Sequence, residues 1–440
     1  MSSIDRRGVR AAATVVAALA TAGGVSAQSP AAEVDRLAAR PALARAFETI
    51  EELEPRTLED HIALTQVAAP PFQEEERARV YAGWLREAGA DSVSIDEEGN
   101  VVAIRRGRGG GDAAAGEQRR TVAISGHLDT VFPADVDVTV QRRGDTLYAP
   151  GIGDDTRGLI AVLTVLRALE RTGIETRDDV LFIGTVGEEG LGDLRGMKHL
   201  FREGADPIDA WIDLDGTGLG RIINQGLGSH RFRVTFRGPG GHSWGAFGLA
   251  NPVHALGRAI RRFETVADTL TRAGPRTSYN VGRIGGGTSV NSIPFEAWME
   301  VDMRSVSEES LARIDAAFRD AMASALEEAN ALRREGPPLE LEVDQIGDRP
   351  SGEIPDDHPL VQRASAAIRR FGGEPSLGRS STDSNIPIAL GIPAVTIGSG
   401  GIGGGAHSPG EWWVNEDGHL AIQAALLLLV SEAGLAEPIP

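Results

Sequence analysis

The stretch Thr121-Val-Ala-Ile-Ser-Gly-His127-Leu-Asp129-Thr decides the fold, because an apolar strand runs into a glycine and then into two metal-binding residue types. A second apolar run, residues 180–186, leads in the same way into Gly187-Glu188-Glu189-Gly190. A third, residues 210–214, leads into Asp215. Short apolar runs bounded by glycine are typical of strands buried in an α/β sheet. Ligands bind such sheets at the carboxyl ends of the strands, so these segments predict a site at one sheet edge.

Five potential metal ligands lie in these turns and in two other segments of the chain. One of the latter opens a predicted helix at residues 158–171, and the other lies beside a glycine run, residues 398–405, that is expected to be pliable. Two imidazoles and three carboxylates suit a pair of divalent cations. The chain has no cysteine, so zinc would be bound through nitrogen and oxygen alone. The candidate ligands are His127, Asp154, Glu189, Asp215 and His407.

Two further carboxylates lie next to candidate ligands in the sequence and suit supporting roles in the site. Glu188 directly precedes the candidate ligand Glu189 and remains free to act as a general base. Adjacent glutamates also occur in ordinary surface turns, but here they follow an apolar strand and are flanked by glycines. Asp129 lies two residues after His127, where its carboxylate could accept the imidazole N–H that faces away from the metal.

The fourth ligand could be Asp213 or Asp215. Gly216 directly follows Asp215 and suits a turn at the end of a strand, whereas Leu214 should be buried. We therefore expect Asp215 to bind the metal, with Asp213 as the alternative.

The bulk composition bounds the class of protein. A chain of 440 residues with 41% hydrophobic and 24% charged residues is long enough for two domains of an ordinary globular protein. The net charge of -19 argues against nucleic acid or an anionic membrane as the partner.

The first residues are typical of an export signal. Arg6-Arg7 and Arg10 precede an apolar stretch, residues 11–24, and Val25-Ser26-Ala27 provides a small-residue cleavage pattern. This predicts a signal peptide at residues 1–27, on the general or the twin-arginine route, and a periplasmic or extracellular protein that starts at Gln28. An uncleaved anchor is the alternative, although the apolar stretch is short for crossing a bilayer.

The pattern of elements changes near residue 226. Strands predicted at 230–236, 277–284, 297–304 and 339–343 alternate with helices at 251–270 and 307–332. The order β-α-β-β-α-β is that of a ferredoxin-like module, and it contains no candidate ligand. We therefore predict an inserted domain at residues 226–346 between two parts of a catalytic domain, residues 28–225 and 347–440.

The ordered motifs resemble those of the M20 metallopeptidase family, which includes peptidase T, carboxypeptidase G, succinyl-diaminopimelate desuccinylase and aminoacylase. The resemblance covers nearly the whole chain after residue 27. It implies an α/β, mixed-sheet zinc-peptidase catalytic domain with an inserted lid that dimerises, and a cis peptide bond between two adjacent aspartates. The segments that carry it are Ser125-Gly-His127-Leu-Asp129-Thr-Val, Gly151-Ile-Gly-Asp154-Asp155, Gly187-Glu188-Glu189-Gly190, Gly240-Gly-His242-Ser243, Asn291-Ser-Ile-Pro294 and Ser381-Thr-Asp383-Ser-Asn385-Ile-Pro387.

The resemblance also implies how the ligands are shared. His127 and Asp215 would hold one ion, Glu189 and His407 the other, and Asp154 would bridge both. The ions are expected to be zinc, although such nitrogen and oxygen sites also accept cobalt or manganese. A water that bridges the two ions would attack the substrate, and Glu188 would take its proton.

Three residues of the inserted domain gain roles from the resemblance alone. His242 would reach the active site of the partner subunit and stabilise the tetrahedral oxyanion, which implies a homodimer. Asn291 and Arg304 would contact the substrate carboxylate or the tetrahedral group. A surface salt bridge is the alternative role for Arg304.

The sequence therefore predicts a di-zinc metallopeptidase that hydrolyses amide bonds in small peptides. The Leu-Asp-Gly form around Asp215 resembles peptidase T and favours di- and tripeptides with free amino termini. The alternative is an N-acyl amino acid deacylase or a carboxypeptidase-like amidohydrolase. A hypothesis of another class is a peptide-binding protein that keeps the site as a scaffold. Chelator-sensitive hydrolysis distinguishes these classes.

Overall fold

The computed structural model describes residues 29–109 and 119–436, so the predicted signal peptide lies outside the described residues. Two short helical turns lie at candidate site motifs: Ile152–Thr156 contains Asp154, and Gly190–Gly192 directly follows Glu189. The helices are α1 (Pro30–Ala38), α2 (Pro41–Thr65), α3 (Glu75–Glu87), α4 (Arg157–Thr172), α5 (Arg195–Leu200), α6 (Pro252–Thr271), α7 (Glu308–Ala331), α8 (Pro359–Arg370), α9 (Asn385–Ala389) and α10 (Gly418–Ala433).

Strands occur in both predicted domains. They are β1 (Ser92–Ile95), β2 (Val101–Arg105), β3 (Thr121–His127), β4 (Gln141–Arg143), β5 (Thr146–Tyr148), β6 (Asp179–Thr185), β7 (Ala210–Leu214), β8 (Arg221–Gly226), β9 (Gly228–Arg237), β10 (Gly241–His242), β11 (Thr277–Gly286), β12 (Ser292–Ile293), β13 (Glu296–Ser305), β14 (Glu340–Arg349), β15 (Gly352–Glu353), β16 (Ser376–Ser380), β17 (Ala394–Ile397), β18 (Ile402–Gly404) and β19 (Trp412–Val414). Among residues 29–109 and 119–436, none of the helices has both the length and the apolar character that a bilayer crossing requires.

A nine-stranded mixed sheet positions the candidate site. Its order is β1-β2-β6-β3-β7-β17-β8-β15, and β16 pairs with β8. The central strands β6, β3, β7 and β17 run parallel to one another. Ile124, Phe182 and Ile212 in these strands are completely buried, as expected for parallel strands covered on both faces. The carboxyl ends of β3, β6 and β7 therefore meet at one edge of the sheet.

Helices α4 and α10 form much of the core against this sheet. Residues 424–430 of α10 are all buried, which is the pattern of a helix that is apolar on every side. At the start of α4, a Cβ on Gly158 would lie 2.1 Å from the carbonyl oxygen of Leu214. Only glycine fits there, and this close approach brings the turn that carries Asp154 against the end of β7.

A second sheet has its own hydrophobic core. It is antiparallel, with the order β11-β13-β9-β14, and α6 and α7 pack on it. Phe232, Phe263 and Phe318 lie at the centre of this core and are completely buried. The chain order β9-α6-β11-β13-α7-β14 confirms the predicted β-α-β-β-α-β series. The exact boundaries at residues 226 and 346 stay predictions.

The glycine run near His407 differs from the expected pliable loop. Residues 402–404 form β18, which joins a small sheet with the order β18-β19-β5-β4. A Cβ on Gly401 would lie 2.4 Å from the indole nitrogen of the buried Trp413. The glycines therefore allow close packing and strand pairing, and this small sheet holds the segment that leads to His407.

Candidate metal centre

The ends of three neighbouring strands place four of the predicted side chains together. β3 ends at His127, β6 is followed by Glu188 and Glu189, and β7 is followed by Asp215. β3 pairs with both β6 and β7, so the two flanking strands deliver their carboxylates to either side of the histidine.

The carboxylate of Asp154 lies between two imidazoles. Its Oδ1 is 3.0 Å from Nε2 of His127, and its Oδ2 is 3.2 Å from Nε2 of His407. The same nitrogen of His407 is 2.9 Å from Oε1 of Glu189. Candidate ligand atoms of His127, Asp154 and Glu189 lie within 4.8 Å of one another. Each oxygen of Asp154 thus faces a different histidine, so this carboxylate lies between the two imidazoles.

Asp215 lines the same pocket, which has a volume of about 530 Å³ and also contains Asp154, Glu189 and His407. Burial and the neighbouring charge of Asp154 raise the pKa of Asp215. Asp154 and Glu189 hold the imidazolium form of His407 and raise its pKa to about 10. Positive charge is thus favoured where these carboxylates converge, so nitrogen and oxygen ligands of this kind fit divalent cations.

Asp213 lies behind the pocket rather than in its lining. Its two carboxylate oxygens accept hydrogen bonds from the hydroxyl groups of Ser125, at 2.8 Å, and Thr396, at 3.1 Å. Of the two candidate aspartates, only Asp215 therefore has its side chain in the described pocket lining.

The turn that carries Asp154 is held by a residue that the sequence did not indicate. The carboxylate of the buried Glu411 accepts hydrogen bonds from the backbone N–H groups of Gly151, Gly153 and Asp154, at 2.7–2.9 Å. Burial raises the pKa of Glu411 to about 7, although these three donors oppose the shift. The peptide bond between Asp154 and Asp155 is cis, as the resemblance implies.

The predicted contact of the Asp129 carboxylate with His127 is wrong. Nδ1 of His127 instead donates to the backbone carbonyl of Asp129, at 3.0 Å, whereas the nearer carboxylate oxygen is 3.8 Å away. The carboxylate accepts the backbone N–H groups of Glu188, at 3.1 Å, and Glu189, at 2.8 Å. These two donors follow the end of β6 and need an acceptor, so Asp129 fixes the glutamate turn while its own carbonyl orients the histidine.

Glu188 lines the pocket and forms an ion pair with a second residue that the sequence did not indicate. Arg349 donates to its Oε1 at 3.0 Å. Burial raises the pKa of the Glu188 carboxyl well above its usual range, and the charge of Arg349 partly offsets this effect. Both side chains are buried, that of Glu188 at 9% and that of Arg349 at 4% exposure, so their contact is little screened by solvent.

The residues of the second sheet divide into two groups. Arg304 lines the pocket and donates through Nε to Asp302 at 2.7 Å, and Arg231 donates to the other oxygen of Asp302 at 2.9 Å. His242 lies in β10 and Asn291 lies directly before β12, its pairing partner, so the structure brings these two together. Neither belongs to the described lining of the pocket.

Comparison with known proteins decides the family. Residues 123–432 match the profile of Peptidase family M20/M25/M40. The chain belongs to this family. Its members hydrolyse peptide or amide bonds, and this chain is such a hydrolase.

Relatives and solved structures within the family differ in substrate. The chain is 28% identical to acetylornithine deacetylase of Myxococcus xanthus over 350 residues, which cover 76% of this chain and 82% of that protein. A tripeptidase from Staphylococcus aureus has the same fold, with a TM-score of 0.68, 23% identity, and coverage of 86% of this chain and 99% of that one. A dinuclear metal-binding peptidase, YxeP of Bacillus subtilis, has a TM-score of 0.60 and 19% identity, covering 87% and 99% of the two chains.

Proposed function

We propose that this protein is a co-catalytic metallopeptidase that uses two divalent cations, preferably zinc, to hydrolyse the amide bonds of small peptides. The observation that carries the proposal is the carboxylate of Asp154, whose two oxygens face Nε2 of His127 and Nε2 of His407. A carboxylate shared in this way offsets the repulsion between two closely spaced cations.

The ligands divide into two sets around Asp154. His127 and Asp215 would hold one cation, and Glu189 and His407 would hold the other. When bound, the pair of cations would polarise the amide carbonyl and acidify water.

Glu188 supplies the proton transfer that amide hydrolysis needs. Its carboxylate takes a proton from the attacking water and later gives it to the leaving amine. Its place in the pocket lining, beside the candidate ligand Glu189, supports this role.

The substrate is proposed to be a di- or tripeptide with a free amino terminus. The fold of the Staphylococcus aureus tripeptidase and the Leu-Asp-Gly sequence at Asp215 are consistent with this choice. An N-acyl amino acid deacylase is the second candidate, because the Myxococcus xanthus relative is an acetylornithine deacetylase. Under either substrate, the guanidinium of Arg304 in the pocket suits a substrate carboxylate.

The test is a comparison of substrates with and without a chelator. The chain from Gln28, reconstituted with zinc, is incubated with free-amino di- and tripeptides and with N-acyl amino acids. Chelator-sensitive cleavage of the free peptides is the expected result. Cleavage of the acylated substrates alone would assign the protein to the deacylases, and no cleavage in either set would favour a peptide-binding scaffold.

A further inference from the structure

Arg349 reaches the active site from the second sheet. It is the last residue of β14, where its backbone pairs with Ser229 of β9. Its side chain is 4% exposed and lines the pocket that contains Asp154 and His407. A buried guanidinium requires close partners, because an unpaired charge in the interior is costly.

The guanidinium contacts Glu188 at two points. One terminal nitrogen donates to the carboxylate Oε1 at 3.0 Å, and the other donates to the backbone carbonyl of Glu188. The first nitrogen also donates to the hydroxyl oxygen of Ser381 at 3.0 Å. A single planar group therefore fixes the side chain of Glu188 relative to its own backbone.

The backbone N–H of Glu188 is held as well, by the Asp129 carboxylate at 3.1 Å. The N–H, the carbonyl and one carboxylate oxygen thus all have partners. Within the described residues, Oε2 accepts no hydrogen bond that would compete with a substrate or water.

We propose that Arg349 is the positioning residue of the general base: it holds Oε1 of Glu188, so that the proton of the reaction is taken up and released at Oε2. The inference rests on the proposed function, since it needs Glu188 to act as base.

Hydrogen-bonding chemistry selects the oxygen. Arginine has only donors and stays protonated at any pH at which the protein works. A proton on Oε1 would replace its charge-assisted hydrogen bond with a weaker one to a neutral hydroxyl, whereas a proton on Oε2 leaves Oε1 as a full acceptor. Oε1 must therefore remain an acceptor throughout the cycle. The proton accepted from water rests on Oε2 and leaves from Oε2 to the amine, and the ion pair keeps the carboxylate aligned through both transfers.

The experiment compares Arg349→Met and Arg349→Lys with the wild-type zinc-loaded enzyme, and uses Glu188→Gln as the reference for loss of the base. We expect Arg349→Met to lower kcat by about 100-fold, the scale of a misplaced reacting group. KM should stay within about threefold and the metal content unchanged, because no candidate ligand is altered. Lysine offers a single nitrogen in place of the two that contact the carboxylate and the carbonyl, so Arg349→Lys should recover only part of the loss.

Two controls separate positioning from a general structural effect. The double variant Glu188→Gln/Arg349→Met should be no slower than Glu188→Gln alone, within about threefold, because Arg349 acts only through the base. Arg233→Met is the matched control. Arg233 lies in β9, which pairs with β14, but it pairs with Glu300 and packs on Trp298 rather than belonging to the described lining of the pocket, so its loss should leave kcat unchanged.

The outcomes are distinct. Two results would overturn this inference and leave the proposed function standing, provided that the wild-type enzyme hydrolyses peptides. One is a kcat of Arg349→Met equal to that of the wild type. The other is a double variant whose kcat is lowered by the full product of the two single effects. A wild-type enzyme that hydrolyses no amide would overturn the proposed function together with this inference. If circular dichroism shows that Arg349→Met is unfolded, Arg349→Lys decides, and a kcat equal to that of the wild type would contradict the proposal.

Discussion

At the scale of single residues, Asp154 and Glu188 carry different parts of the chemistry. Asp154 joins the two histidines, one through each oxygen, and so defines where cations would bind. Glu188 lies in the same pocket but pairs with Arg349. This separation predicts that metal binding and proton transfer can be removed independently.

Glu188→Gln should lower kcat by several orders of magnitude while the zinc content is retained. The amide has nearly the shape of the carboxylate but cannot accept the proton of the attacking water, a role worth about 100- to 10,000-fold in rate. Steady-state kinetics and metal analysis of the same sample check the prediction. Wild-type turnover in this variant would remove Glu188 from the mechanism.

His61 gives the protein a predicted sensitivity to acid. Burial lowers its pKa to about 3, and its Nε2 donates to the carbonyl of Ile152 at 2.6 Å, in the turn before Asp154. The unfolded chain binds a proton at this residue below pH about 6.5 and the folded chain does not, so stability is full above pH about 6.5 and falls as the pH approaches 3.

His61→Gln removes this titrating group while keeping a donor for Ile152. Between pH 6 and pH 4, its free energy of unfolding should fall less steeply than that of the wild type, by about 1.4 kcal/mol per pH unit. Urea unfolding at a series of pH values measures both slopes. Identical slopes would show that His61 does not titrate between the folded and unfolded states.

Sequence reasoning found the residues that lie in motifs and missed those whose role depends on the fold. His127, Asp154, Glu189, Asp215 and His407 come together as predicted from their turns. Glu411 and Arg349 follow no periodic or motif signal, because each acts on a segment more than 150 residues away along the chain. Asp129 lies beside His127 as predicted, but the imidazole N–H is accepted by its backbone carbonyl and not by its carboxylate. The sequence could not distinguish these two acceptors, because both belong to the same residue.

At the scale of elements, the turn between β5 and α4 carries Asp154 and needs acceptors for its buried backbone N–H groups. Glu411 supplies them, through three backbone hydrogen bonds from just before β19. Its carboxylate ties this turn to the segment that follows His407, so the positions of Asp154 and of its partner His407 depend on elements that Glu411 connects.

Glu411→Gln should weaken metal binding and destabilise the fold. The amide group would place a donor against one or more backbone N–H groups, and each buried donor left without an acceptor costs about 1–3 kcal/mol. Zinc titration and thermal unfolding should both detect the change. The exposed Glu416 provides the control, since Glu416→Gln should leave both quantities as they are. Wild-type zinc affinity in Glu411→Gln would contradict the role assigned to Glu411.

Most elements could be predicted because their apolar periodicity is strong. Strands β3, β6 and β7 and helix α4 lie within one or a few residues of their expected bounds. β14 was predicted to stop at residue 343 but continues to Arg349, because a register shift between Gln345 and Gly347 interrupts its alternation. β18 is two-thirds glycine and offers no side-chain pattern at all.

At the scale of the whole molecule, the two sheets meet at the pocket. Arg349 and Arg231 extend from the second sheet to Glu188 and to the carbonyl of Gly190. His242, by contrast, accepts the N–H groups of Trp244 and Gly245 through Nδ1, at 3.2 Å, and is exposed. Its predicted catalytic role therefore depends on a second copy of the chain.

Mixing two inactive variants tests whether His242 acts across a dimer. In a heterodimer of Glu188→Gln and His242→Ala, one site carries both defects and the other carries neither. Random exchange of subunits should therefore restore about a quarter of wild-type activity, since half the dimers are mixed and half of their sites are intact. Light scattering gives the oligomeric state. A fully active monomer, or no recovery on mixing two folded variants, would contradict a homodimer with shared sites.

The measurement that tests the central claim most directly is a zinc titration of the metal-free chain, with bound metal and peptide hydrolysis recorded at each step. Two cations joined by Asp154 predict that two equivalents bind, that full activity needs both, and that a chelator abolishes it. Asp154→Asn should bind less than two equivalents and stay inactive. Full activity in the presence of chelator, or zinc binding at no more than one site in the wild-type chain, would contradict a two-cation centre.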